Sequence, residues 1–233
     1  MTKDFKNETR GASTNSWLDS KHTFSFGGFQ DPDRMGFRSL RVINEDHVSP
    51  GGGFAPHGHQ DMEIITYVTS GALGHKDSLG NGSVIRPGEI QRMSAGTGIQ
   101  HSEMNASNEE SVHFLQIWVE PNATGHAPSY EQVQLVENAG QKGFTPIATP
   151  EGGAGAISLN QDAVLSISKP GAGDTVEFTV DAKRYGFLHV VKGAVEIDGK
   201  TYSTGDGLGF EGSDEGFAFV AQETSEVLLF DLS

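Results

Sequence analysis

Apolar residues in this chain gather in short runs rather than at helical spacing. FRSLRVI (37–43), MEIITYV (62–68), SVHFLQIWVE (111–120), VLSISK (164–169), GFLHVVKGAVEI (186–197) and EVLLFDL (226–232) are rich in branched and aromatic residues, which suit a pleated surface. Turn formers punctuate them: Asp-Pro at 31–32, Gly-Asn-Gly at 80–82, Pro-Gly at 87–88 and Asp-Gly at 198–199. Many short strands with turns every ~8–12 residues predict an all-β sandwich or barrel. ENAGQKGFTPIATPEGGAGA (137–156) is low in large apolar residues and rich in Gly, Ala and Pro. It reads as a linker between a domain over 1–136 and a second over 157–233. The two halves look related, since TYVTSGA (66–72) resembles LHVVKGA (188–194), each a strand running into a glycine turn.

Composition narrows the function classes. Sixteen basic against 31 acidic residues leave a net charge of −15 with His neutral. Such a surface repels phosphate backbones and anionic membrane faces, so no direct nucleic-acid or membrane partner is expected. The 233 residues include no cysteine, which excludes disulfides, thiolate metal sites and a Cys nucleophile. Histidines and carboxylates remain as the strong metal ligands. No run approaches the ~20 apolar residues of a spanning helix, and MTKDFKNETRGASTNSW lacks the apolar stretch of a signal peptide. A soluble, cytoplasmic protein is the expectation. The 31 glycines are about double the usual share of ~7% and imply many turns.

Two clusters carry candidate chemistry. His57-Gly58-His59 follows GGGFAP and precedes Gln60, Asp61, Met62 and Glu63. In an extended strand 57, 59, 61 and 63 share a face, and two imidazoles roughly 7 Å apart along it can reach one metal ion. About forty residues on, SAGTGIQHSEMN (94–105) places His101 and Glu103 two apart behind a glycine-rich turn. Three histidines and one carboxylate on neighbouring strands make an N₃O site suited to Fe, Mn, Co, Ni or Cu. Parity alone admits either Glu103 or Glu63 as the carboxylate. His22, His47, His75, His113 and His126 read as surface or structural residues, His22 with a second reading as support for the site, and His189 reads as packed core. Phe24, Phe26 and Phe29 fit either an aromatic pocket wall or core.

These residues also carry a resemblance. GGGFAPHGHQDMEIITYVTSG is similar to the first cupin motif, Gly-x₅-His-x-His-x₃-Glu counted from Gly51, and Gly98-x₂-His101-x₃-Asn105 to the end of the second. WLDSKHTFSF (17–26), DPDRMGFRSLRVIN (31–44), MSAGTGIQHSEMN (93–105), LQIWVEP (115–121) and SYEQ (129–132) resemble the pirin family, whose bacterial members include quercetin 2,3-dioxygenases. The resemblance implies a bicupin, two antiparallel jelly-roll-like barrels packed together with metal only in the first. It implies His57, His59, His101 and Glu103 as metal ligands, with Glu63 beside the site. Fe(II) is the implied ion, and Cu, Ni, Mn, Co and Zn fit the same donors. Glu103 would then be the catalytic base of a dioxygenase that cleaves a flavonol with O₂ and releases CO. The alternative is a non-enzymatic, metal-dependent redox regulator that docks on partner proteins; a cupin isomerase or other small-molecule binder has less in its favour. A monomer is expected. Offset by 122 residues, His57, His59 and Glu63 fall on Thr179, Asp181 and Tyr185, which form no such cluster.

Overall fold

The computed structural model describes residues 2–141 and 143–233. The chain opens with β1 (Thr2–Phe5), a 3₁₀ turn at Asn7–Thr9, β2 (Gly11–Thr14) and β3 (Leu18–His22). A second 3₁₀ turn at Pro32–Arg34 is capped by Asp31, whose side chain accepts from the Asp33 amide. There follow β4 (Leu40–Val48), β5 (Gly53–His59), β6 (Glu63–Ser70) and β7 (Leu73–Asp77). Next come β8 (Gly82–Ile85), β9 (Glu89–Ser94), β10 (Ile99–Asn105), β11 (Val112–Val119) and β12 (Ser129–Gln134). The second half holds β13 (Thr145–Thr149), β14 (Ile157–Ser158), β15 (Ala163–Ser168) and β16 (Thr175–Lys192). It closes with β17 (Ala194–Ile197), β18 (Lys200–Ser203), β19 (Gly207–Ala221) and β20 (Glu226–Leu232). The protein is therefore all-β, as its punctuation predicts.

The first barrel is built from two facing sheets. A seven-stranded sheet runs β12-β9-β6-β11-β4-β3-β2, and a four-stranded sheet runs β5-β10-β7-β8. The second barrel is a nine-stranded sheet in which β14-β13-β15-β20-β16-β19-β17-β18 are neighbours and β1 adds to β19. Two features differ from a simple division at 137–156. Thr145–Thr149, inside that stretch, is β13 and pairs with β15. The first strand of the chain, β1, pairs with β19 of the second half, Thr2 opposite Phe210 through Phe5 opposite Gly207.

One hydrophobic core joins the barrels. It combines Ile43, Ile65, Leu115 and Ile117 of the first half with Leu165, Ile167, Phe187, Leu228 and Phe230 of the second, and Phe5 sits among them. The central strands of the large sheet are thus buried on both faces, which is why MEIITYV and FLQIWV read as continuous apolar runs rather than alternating ones. The interior of the second barrel is filled by Val180, Leu188, Val190, Phe210, Phe219 and Leu229, with Phe178 and Phe217 against them. Polar side chains instead line the interior of the first.

Candidate metal centre

Backbone geometry brings the two histidine-bearing segments side by side. β5 and β10 pair antiparallel with His57 directly opposite His101 and His59 opposite Ile99. Gly53 permits this approach: a Cβ there would lie 2.4 Å from the Glu103 carbonyl oxygen. Behind β10, Gly96 turns with φ +45°, and a Cβ on it would lie 2.0 Å from the His126 carbonyl oxygen. The pairing slips between His101 and Glu103, so Glu103 stands opposite Phe54.

The imidazoles converge on one point. Ligand atoms of His57, His59 and His101 all lie within 4.8 Å of one another. The His57 and His101 Nε2 atoms are 3.0 Å apart, the separation that two metal–nitrogen bonds of about 2.0–2.1 Å subtend near a right angle. His57 Nδ1 lies 2.9 Å from the Ala55 carbonyl oxygen, which can only accept, so Nδ1 carries the proton and Nε2 presents a lone pair. Burial lowers the His101 pKa to about 2, helped by repulsion from His57, His59 and His75. Burial, with His57 adding, lowers His59 to about 4. Both rings are therefore neutral near pH 7, the form that binds metal. The donor set fits a divalent ion.

Glu103 is fully buried on the same strand, and desolvation raises its pKa to about 7 against the hydrogen bonds from Gln116 and Thr66. Gln116 Nε2 donates to both carboxylate oxygens at 2.9 Å. Ligand atoms of Glu103, His101 and His75 also lie within 4.8 Å of one another, so Glu103 groups with these two rather than with His57 and His59. His101 belongs to both groups. His75, which its turn-side position suggests is structural, is buried beside His101, their ring centroids 5.3 Å apart. Glu63 departs from the expectation that it borders the site. β5 ends at His59 and Asp61 adopts φ +48°, which resets the alternation before β6. Glu63 consequently faces the second barrel, accepting from Ser94 Oγ of β9 at 2.5 Å and from the Asn160 backbone amide of the second half at 3.2 Å.

His57, His59 and Glu103 open on a cavity of about 730 Å³ between the two sheets. Trp17, Phe26, Phe54 and Trp118 form its aromatic rim, and Ser13, Ser20, His22, Asn44, Asp46 and Gln116 its polar wall. Phe24 lies in the core instead, and Phe29 packs over Gly11. The polar wall follows register. His22, Asn44, Gln116, Thr66, Gln91 and Gln132 stand opposite one another across β3, β4, β11, β6, β9 and β12, so they share one face as a continuous polar row. Apart from His22, spacing alone marks none of them. The available signal was a polar residue at every second place in otherwise apolar strands, such as Asn44 and Asp46 in LRVINEDHV or Gln116 in FLQIWV.

Residues 5–119 match the family described as Pirin, and residues 146–232 match the one described as the quercetinase C-terminal cupin domain. A protein of Escherichia coli (strain K12) named quercetin 2,3-dioxygenase is 42% identical over 227 residues, covering 97% of this chain and 96% of that one. A pirin-like protein of Caulobacter vibrioides is 38% identical over 223 residues, 95% of each chain. Among solved structures, the bacterial pirin YhhW of Escherichia coli in complex with nickel(II) superposes with a TM-score of 0.92 at 42% identity, over 100% of this chain and 99% of that one. With both barrels matched and the relatives covered nearly end to end, the chain belongs to the pirin family and is a bicupin.

Proposed function

We propose that this protein is a metal-dependent dioxygenase that opens the central ring of a flavonol with O₂ and releases CO. The observation that carries the reading is the convergence of His57, His59 and His101, the first two of them, with Glu103, on the wall of a cavity lined by aromatic side chains. A divalent ion held by these histidines, with the Glu103 carboxylate beside His101, would supply Lewis-acid stabilisation of the flavonol 3-oxyanion and redox access to O₂. Fe(II) is the first choice among ions suited to imidazole and carboxylate donors, and nickel, bound by the Escherichia coli relative, fits them too.

The chain's own groups do the rest. Glu103, whose carboxyl burial pushes above the ordinary carboxylate range, takes the proton of the 3-hydroxyl. Gln116 orients the carboxylate through both oxygens. Trp118 packs edge to face with Phe26, and Trp17 with Phe54, the centroids 5.4 Å and 5.2 Å apart. Together they offer apolar ring surface to a flat polycyclic substrate. Both oxygen atoms enter the ester product and the carbon between the two broken bonds leaves as CO, so no external reductant is needed. The His57→Ala/His101→Ala double variant should purify without metal and consume no O₂ with quercetin. Flavonol cleavage by that variant, free of metal, would overturn the proposal.

A further inference from the structure

The polar wall holds one group that the chemistry above does not use. On β3 and β4, Ser20, His22, Asn44 and Asp46 are all buried and all line the cavity. His22 is satisfied on both sides, its Nδ1 2.8 Å from Asn44 Oδ1 and its Nε2 2.9 Å from Ser13 Oγ. Asp46 is not. It is only 4% exposed, and its Oδ1 has no hydrogen-bond partner among the described residues. Ser20, opposite it in register, hydrogen-bonds its carboxyl. Of the charged groups around it, Glu103 and Glu45 repel the ionised form and Arg10 attracts it. Burial is the largest influence and raises the carboxyl to about 7. A buried carboxyl oxygen without a partner weakens the fold, and this one stands on the sheet that faces the metal-binding histidines.

Resting on the dioxygenase reading, we propose that Asp46 is a specificity-determining residue. With Ser20, it binds a phenolic hydroxyl of the substrate other than the one directed to the histidines. The site thereby selects planar polyhydroxylated aromatics over analogues of the same shape without ring hydroxyls. Continuous ring contacts support the geometry: His59 to Trp118 at 5.0 Å, Trp118 to Phe26 at 5.4 Å, and Phe26 to His22 at 5.2 Å. A flat ligand lying along them spans from the small sheet to the polar wall of the large one.

The test is equilibrium binding of quercetin and of 3-hydroxyflavone, which keeps the 3-hydroxyl but lacks the others. It is read anaerobically on metal-loaded protein by quenching of Trp17 and Trp118, the chain's two tryptophans. Wild type should prefer quercetin by about tenfold or more, the range of a hydrogen bond to a charged or buried group. Asp46→Ala should bring that ratio close to one by weakening quercetin alone, and the shape-conserving Asp46→Asn should give an intermediate ratio. Asp46→Asn, which keeps the shape of the side chain, should melt no lower than wild type, because the buried charge it removes is repelled by Glu103 and Glu45. An unchanged ratio in Asp46→Ala, or equal weakening of both ligands, overturns the proposal and leaves the dioxygenase reading standing. Failure of wild type to bind either flavonol overturns that reading, and this proposal with it.

Discussion

Replacing Glu103 by Gln keeps the volume of the side chain but removes its charge. The three histidines should still hold metal, more weakly, while flavonol turnover falls about 10²-fold or more, the usual contribution of a positioned base. Metal content and O₂ uptake of the Glu103→Gln protein, measured on one preparation, check this; undiminished turnover would remove Glu103 from the chemistry. At this scale the spacing of residues conveyed the cluster of His57, His59 and His101, because alternate residues of a strand share a face. It misplaced Glu63, because a single left-handed residue, Asp61, resets that alternation and nothing in the spacing marks it. Asp46 and Gln116 stayed hidden for another reason. A polar residue inside an apolar run reads equally as a solvated face, and only the closed barrel shows that its inner face is the polar one.

Strand pairing determines whether the histidines meet. β5 lies against β10 at Gly53, whose hydrogen leaves no room for a methyl group beside the Glu103 carbonyl. Gly53→Ala should therefore destabilise the protein by about 1–3 kcal/mol and lower metal retention by moving His57 away from His101. Thermal melting followed by metal analysis checks both effects, and unchanged values for both would show that β5 is not held at this point. Elements were largely legible in the sequence where turn chemistry is strict. Asp198 and Gly199 both take positive φ, 50° and 73°, as a two-residue hairpin requires. The likeness between TYVTSGA and LHVVKGA is also structural: Gly71 and Gly193 turn with φ +74° and +86°, each against the residues leading into a central strand, β11 or β20. β13 was not legible, since Thr145–Thr149 is short and its Pro146 argues against a strand. It pairs along the sheet edge with only β15 and the two-residue β14, where proline is tolerated.

The two barrels form one folded unit because they share a core and because β1 crosses to the second. His189 lies at that junction, fully buried with neither ring nitrogen partnered among the described residues. Burial lowers its pKa to about 3, with Arg10 adding to the effect while Glu45 and Asp206 oppose it. The unfolded chain takes up this proton near the usual 6.5 and the folded chain does not. The stability tied to the neutral ring is therefore complete above pH 6.5 and is lost progressively as pH falls toward 3. His189→Leu should remove that loss, so its Tm should fall less than that of wild type between neutral pH and about pH 4.5. Parallel Tm profiles for the two proteins would contradict this assignment. Sequence pattern conveyed two β modules but not their shared core, because a strand buried on both faces shows no alternation from which its second partner can be read. The net charge of −15 argues against nucleic acid and does not bear on the substrate. The decisive measurement is titration of metal-depleted protein with Fe(II), followed by quercetin-dependent O₂ uptake and CO release. Uptake should rise in proportion to bound metal up to one ion per chain, with one CO formed per O₂ consumed. Uptake by metal-free protein, or none by protein filled with metal, would contradict the metal-dependent dioxygenase.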